Sequence, residues 1–281
     1  DVADNAVIDK RGRIAARKGY SVKSTTITVA GGSPILGMKE FEDESGNTKL
    51  FSVGNNKIMS GITTLSDETP GSYTINANNW KMVTFNNHIY FFQRSFEPLA
   101  YSNSLGSVTK LSSVGGAAGV SSSIYGNEVL AAFGRLFVAD FASDKSTIYW
   151  SDLLQGHVFS GGSSGNIDVS KVWPDGYDEI VGLAAHNGSL IVFGQHSIIV
   201  YAGATSPASM TLEDSIPGIG CVARDTIQYT GTDVLFLSHT GLRSLARTIQ
   251  EKSMPISSLS NTITKDIISA IQTETESFKS V

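Results

Sequence analysis

A small polar turn, an apolar strand of four to six residues, a second short loop and a further strand recur five times along the chain. The turn-plus-strand units occupy residues 46–53, 86–92, 133–139, 187–193 and 231–237. Their first apolar residues, Leu50, Ile89, Leu136, Leu190 and Val234, lie 39, 47, 54 and 44 residues apart. One antiparallel unit of this size cannot bury both of its faces alone. Units recurring at this interval stack on one another, as the blades of a propeller do.

The fourth unit shows the pattern best. Residues 180–184, 189–193 and 197–201 are strand-like, with Asn187-Gly188 and Gln195-His196 between them. Asn-Gly is a strong hairpin signal, because both central turn residues must accept positive φ. Residues 210–213 supply a fourth, outer strand before Pro217-Gly218. By the same reading the strands are 81–85, 88–93 and 99–102 in the second unit, and 129–133, 135–139 and 147–151 in the third. In the fifth they are 226–229, 233–238 and 242–247. Unbroken apolar runs such as 136–139 and 234–237 imply strands covered on both faces, which stacked blades provide. A two-sheet sandwich predicts polar residues at alternate positions and no longer period.

The Gly/Ser tracts at 102–123 and 160–164 are expected to be loops between blades, on one face of the ring. A sixth blade, if present, would combine N-terminal strands around residues 13–29 with a late strand, closing the ring and protecting its edges. Beyond residue 250 the character changes: Leu259, Ile263, Ile267 and Ile271 recur every four residues, the stripe of a helix. Ser260 or Asn261 is the expected cap, and the Thr- and Ile-rich composition calls for a partner surface. The expected fold is therefore all-β, a propeller of about five or six blades over residues 1–250 with 1–30 contributing ring-closing strands. Residues 251–281 form a C-terminal helical segment leading to a further domain or an interface.

With 281 residues, 41% of them hydrophobic, the chain can bury a large core. Its formal charge of -5, with Lys and Arg spread out, argues against electrostatic affinity for nucleic acid. Cys221 is the single cysteine, which rules out an intrachain disulfide and a cysteine-built zinc site, and suits a reducing compartment. The longest apolar stretch, 189–204, is broken by Gly194, Gln195 and His196 and is too short for a membrane helix. The opening Asp1-Val2-Ala3 lacks methionine and any leader pattern, so a fragment or processed product is expected.

Several constellations invite a chemical reading, and each has a plainer one. Gly161-Gly162-Ser163-Ser164-Gly165 has the form of a nucleophile elbow, but no α/β alternation surrounds it and a flexible loop is expected. His88, His157, His186, His196 and His239 fall in or beside turns, on the rims of different blades, without metalloprotease spacing, and read as solvated turn residues. The acidic turns at Asp43-Glu44, at Asp140 with Asp144, and at Asp175 with Asp178 and Glu179 lack the alternating-oxygen pattern of a calcium loop. Local Asp-to-backbone hydrogen bonding explains them. Residues 143–147 have the flavour of a sialidase Asp-box hairpin, with the wrong glycine and tryptophan spacing and no second copy. Trp80, Trp150 and Trp173, with Tyr90, Tyr101, Tyr149 and Tyr201, are expected between blades. No catalytic, cofactor-binding or metal-binding residue is assigned, and no cofactor is expected.

Two stretches go beyond a generic propeller. The opening Asn5-Ala6-Val7-Ile8-Asp9-Lys10-Arg11-Gly12-Arg13-Ile14-Ala15-Ala16-Arg17-Lys18-Gly19-Tyr20 resembles the start of tail nozzle proteins of short-tailed bacteriophages, the tail tubular protein B type. Gly218-Ile219-Gly220-Cys221-Val222-Ala223-Arg224-Asp225-Thr226, with residues 233–238 and 240–245, resembles their last recognisable blade, and Pro255-Ile256-Ser257 before a helix is similar too. The resemblance implies a propeller within a larger nozzle subunit and a homo-oligomeric ring of six at the tail tip. It also implies tail adaptor and tail fibre partners, double-stranded DNA passing through, and no catalytic residues. The corresponding location is the virion tail, assembled in the host cytoplasm. The expected function is thus a non-enzymatic structural component of a phage tail. The alternatives are a carbohydrate-active or carbohydrate-binding propeller, and a cellular protein-interaction propeller.

Overall fold

The computed structural model describes residues 6–8, 14–16, 19, 35–54, 57–71, 73–75, 79–251, 259–260 and 263–273. They form an all-β propeller of five antiparallel blades with two helices. Strands β1 (Ala6–Ile8) and β2 (Ile14–Ala16) make a separate two-stranded sheet. Blade one is β3 (Gly37–Glu42), β4 (Thr48–Gly54), β5 (Lys57–Ser60) and β6 (Ser66–Asp67). Blade two is β7 (Lys81–Phe85), β8 (His88–Gln93), β9 (Phe96–Tyr101) and β10 (Thr109–Lys110). Blade three is β11 (Glu128–Ala132), β12 (Arg135–Ala139), β13 (Thr147–Trp150) and β14 (Gly165–Asp168). Blade four is β15 (Ile180–His186), β16 (Ser189–Gly194), β17 (Ile198–Ala202) and β18 (Thr211–Ile216). Blade five has three strands, β19 (Gln228–Tyr229), β20 (Val234–Ser238) and β21 (Gly241–Ser244), followed by α1 (Leu245–Glu251). Helix α2 spans Thr264–Thr273.

Each blade is a meander in chain order, and the first strands β3, β7, β11 and β15 lie side by side around the axis. The hairpins joining the first two strands are tight because their turn residues adopt positive φ. Asn86 and Asn87 take 44° and 60°, and Asn187 and Gly188 take 49° and 81°. Side chains then alternate between neighbours. On β8, Ile89 and Phe91 enter the core shared with blade one, while Tyr90 and Phe92 enter the core shared with blade three. On β12, Leu136 and Val138 face blade two, and Phe137 and Ala139 face blade four. On β16, Leu190 and Val192 face blade three, and Ile191 and Phe193 face blade five. This alternation is why these strands are apolar at every position. Trp80 and Tyr101 lie in the first inter-blade core, Tyr90 in the second, and Trp150, Trp173 and Tyr201 in the third. Tyr149 packs against the second.

Four such cores join blades one to two, two to three, three to four and four to five; among the described residues none joins five to one. The expected sixth blade falls at that junction. Apart from residues 14–16 and 19, the span 13–29 lies outside the described residues, and residues 14–16 pair there with 6–8 alone.

Three local expectations are corrected. Residues 245–247 are helical rather than strand: Ser244 caps α1 by accepting the Arg247 N–H at 3.3 Å, and Asp233 accepts the Ala246 N–H at 3.0 Å. The tract 102–123 is not all loop, since it contains β10, and Val108, Leu111 and Val114 are buried. The tract 160–164 lies inside blade three, between β13 and β14, rather than between blades. Helix α2 begins at Thr264, and Ser260 is used to dock the segment, its Oγ accepting the Leu242 N–H at 3.3 Å. Asn261, the other expected cap, lies outside the described residues. No helix among the described residues is long and apolar enough to cross a membrane.

Burial alone would raise the Asp233 carboxyl, but the Ser244 hydroxyl and the Ala246 and Val234 N–H groups outweigh it and hold the group below its ordinary value. A depressed folded value contributes stability that is present above the unfolded value and disappears as pH falls through the folded one. Asp233→Ala is expected to lower stability by about 1–2 kcal/mol at neutral pH, and the gap to close below about pH 4. Urea unfolding across pH checks this, and a gap independent of pH contradicts it.

Candidate functional site at the propeller axis

The segment between blades four and five brings one cation to the axis. Gly220 passes so close to blade four that a Cβ there would stand 2.2 Å from the Gln195 carbonyl carbon, so no larger residue fits without a backbone shift. Cys221 then donates its N–H to Gly194 O and Val222 to Leu237 O, each at 2.8 Å, which ties the segment to both blades. A single helical turn, Arg224–Thr226, follows and aims Arg224 inward.

The guanidinium of Arg224 joins blades two, three and five. Nη2 donates to Trp80 O at 2.8 Å, and Nη1 donates to Asn127 Oδ1 at 2.8 Å and to Asn127 O. Nε donates to Asp225 Oδ1 at 2.8 Å. A rigid planar fork with five donors suits such a junction, where an ammonium would reach fewer acceptors. Asn127 continues the network outward, its Nδ2 donating to Asp140 Oδ2 at 2.9 Å. The Asp140 carboxylate also takes ion pairs from Arg94 and Lys145.

Glu128, at the start of β11, is the most deeply placed acid of this cluster, 1% exposed. Its Oε1 accepts the Leu183 N–H of blade four at 3.2 Å. Its Oε2 lies 3.7 Å from Lys81 Nζ and 3.8 Å from Arg224 Nε and accepts no hydrogen bond. Burial pushes the Glu128 carboxyl upward, against the pull of Lys81, Arg224 and the Leu183 N–H. A cavity of about 450 Å³ opens beside it and is lined from all five blades, Lys39, Lys81, Glu128, Leu183 and Tyr229 among the contributors.

The residues singled out from sequence are placed as follows. Ser163 sits in a strapped loop: its Oγ donates to Asp152 Oδ1 at 2.7 Å and accepts from Arg135 Nη2 at 2.8 Å, and its carbonyl accepts the Trp150 indole N–H at 3.0 Å. The histidines lie on several blades, yet His196 and His239 stack with ring centroids 5.3 Å apart, and His88 and His157 approach to 6.2 Å. Among the described residues no three His, Cys, Asp or Glu side chains converge as a metal site requires. Asp43 accepts the N–H groups of Ser45 and Asn47, Asp178 those of Gln195 and His196, and Asp144 those of Ser146 and Thr147. Asp43 and Asp144 do ordinary turn work, whereas Asp178 reaches 17 and 18 residues along the chain to hold the turn between β16 and β17. The axial residues Lys81, Asn127, Glu128 and Arg224 were not picked out as a site from sequence. Their one signal is a charged or amide residue placed at, or just before, the first strand of a blade.

No protein-family model and no curated protein sequence matches this chain. Among solved structures, the extracellular domain of a hybrid two-component system from B. thetaiotaomicron is similar at 12% identity and a TM-score of 0.48, over 85% of this chain and 31% of that one. This chain therefore spans about a third of that protein's length. Virginiamycin B lyase from Staphylococcus aureus is similar at 11% identity and 0.44, over 85% and 70% of the two chains. Hsv2 from Kluyveromyces lactis is similar at 10% identity and 0.43, over 76% and 74%.

Removing Arg224 leaves Asp225 and Glu128 without their buried cation and the Trp80 and Asn127 carbonyls without a donor. Arg224→Met is expected to cost about 3–5 kcal/mol of stability, with Arg224→Lys restoring only part of it because one ammonium cannot replace the fork. Denaturant unfolding of the three proteins decides this. Equal stability of Arg224→Met and the parent overturns the assignment of Arg224 as the axial tie.

Proposed function

We propose that the chain is a non-enzymatic structural module of a short-tailed phage tail, a propeller carried on a ring-forming nozzle subunit. One observation carries the reading. The stretch through which the chain resembles nozzle proteins, residues 218–226, is the stretch that threads between blades four and five and sends Arg224 to the axis. The resemblance thus falls on residues engaged in holding blades together. Cys221 within it is buried, its thiol pushed up by burial to about 11 and donating to Ala223 O, which leaves it chemically quiet.

In such an assembly a genome channel would not run through the propeller itself. Arg224 bridges blades across the propeller axis, and the cavity beside it holds about 450 Å³. A duplex whose major groove alone is about 12 Å wide does not pass there. On this reading the channel is the lumen between subunits, with the propeller as part of its wall. A net charge of -5 suits a wall along which phosphates slide rather than stick. The segment leading into α2 presents Leu259 and Ile263, 48% and 53% exposed, as an apolar contact for a neighbouring subunit.

The experiment is a mass measurement and negative-stain imaging of the full-length subunit, alone and with portal and adaptor proteins. A closed six-membered ring that joins the adaptor is expected, and Ile263→Asp is expected to abolish it while leaving the melting temperature of the propeller unchanged. A monomer indifferent to those partners contradicts the tail reading.

A further inference from the structure

We propose that His196 and His239 form a two-imidazole site for a divalent transition-metal ion, copper(II) foremost, on the seam between blades four and five. The site does not depend on the tail assembly proposed above. His196 lies in the turn between β16 and β17, and His239 in the equivalent turn between β20 and β21. Both side chains are exposed, and their rings stand with centroids 5.3 Å apart at 19° to one another. The backbone beneath them is fixed. Gly194 and Leu237 each stand two residues before a histidine, and their carbonyls accept the N–H groups of Cys221 and Val222, consecutive residues of one strap. The buried Asp178 carboxylate accepts the Gln195 and His196 N–H groups, each at 2.9 Å, and Arg243 Nη2 donates to Thr240 Oγ1 at 2.6 Å. Turns braced in this way keep the two histidines at a set spacing, which a chelate requires.

Ligand chemistry sets the class of ion. Neutral imidazole is the commonest side-chain metal ligand, and its nitrogen suits copper, nickel and zinc, whereas magnesium and calcium take oxygen. With metal–nitrogen bonds of about 2.0–2.1 Å, each ring centroid stands about 3.2 Å from the ion, so two rings bound at roughly 90–120° have centroids about 4.5–5.5 Å apart. The 5.3 Å between His196 and His239 lies in that range. Turning each ring about χ2, a broad torsion for imidazole, aims one nitrogen of each at the ion and leaves the centroids in place. Among the described residues no third His, Cys, Asp or Glu joins the pair. Water therefore completes the coordination, and the site is open rather than closed. The other close pair is less suited. His88 and His157 are 6.2 Å apart at 44°, His157 is half-buried, and His88 Nδ1 already meets Asn86 O at 2.9 Å. An ion on His196 and His239 staples blade five, which among the described residues shares an apolar core with blade four alone.

The test is calorimetric titration of the chain, without an affinity tag, with copper(II), nickel(II), zinc(II), magnesium and calcium chlorides, beside electron paramagnetic resonance of the copper complex. Copper is expected to bind with a dissociation constant of about 100 µM or tighter, nickel and zinc more weakly, and magnesium and calcium not at all. The resonance is expected to show splitting from two nitrogens. His196→Ala and His239→Ala are each expected to weaken copper binding by about tenfold or more, and His88→Ala to leave it unchanged. Copper at about a hundredfold excess over its dissociation constant is expected to raise the melting temperature of the parent by roughly 5 °C and to leave that of either alanine variant in place. His196→Gln and His239→Gln stand in for an alanine variant that fails to fold. Absence of copper binding, splitting from fewer than two nitrogens, affinity undiminished in a folded variant of either histidine, or a parent melting temperature unmoved by copper overturns the proposal.

Discussion

Consecutive apolar side chains on one strand must each find a core, and here they find different ones. Ile89 and Tyr90 are neighbours in the chain, yet the first faces blade one and the second blade three. The same division holds for Leu136 and Phe137, and for Leu190 and Ile191. No blade therefore owns a core. Among the described residues blades two, three and four each supply half of two cores and blades one and five half of one, and the burial that stabilises a blade exists only while its neighbours are in place. An inner blade taken alone would expose apolar surface on both faces and aggregate through it.

Apolar contact is non-directional, so it leaves the tilt of one blade against the next loosely defined. The axial polar cluster supplies direction. Arg224 ties blade five to blades two and three, Glu128 ties blade three to blade four through the Leu183 N–H, and Asp140 gathers Arg94, Lys145 and Asn127 where blades two and three meet. Buried ion pairs add little net stability but penalise arrangements in which they are broken. Within the cluster Glu128 Oε2 is buried, with Lys81 Nζ at 3.7 Å and Arg224 Nε at 3.8 Å as its nearest cations.

What was legible in the chain was whatever local chemistry decides. Asn86-Asn87 and Asn187-Gly188 announce hairpins because few residues accept positive φ, and the structure has them there. The doubly apolar second strands announced stacked blades, and residues 210–213 announced an outer strand that is present as β18. Helix α1 was not legible: Leu242 to Arg247 reads as strand by composition, and the carboxylate that holds its first turn, Asp233, belongs to the blade's previous turn. In the tract 102–123, glycine and serine masked Val108, which enters the core between blades one and two, and Leu111 and Val114, which enter the core between blades two and three. The axial site was hidden for another reason. Arg224 and Trp80 are 144 residues apart, and nothing local to either says that they meet.

Native-state hydrogen exchange of the full chain tests most directly whether the blades stand or fall together. The buried amides of β8, β12, β16 and β20 are expected to exchange through one common opening with the free energy of global unfolding. Blades opening one at a time, each with its own free energy, would contradict a structure in which every core is shared.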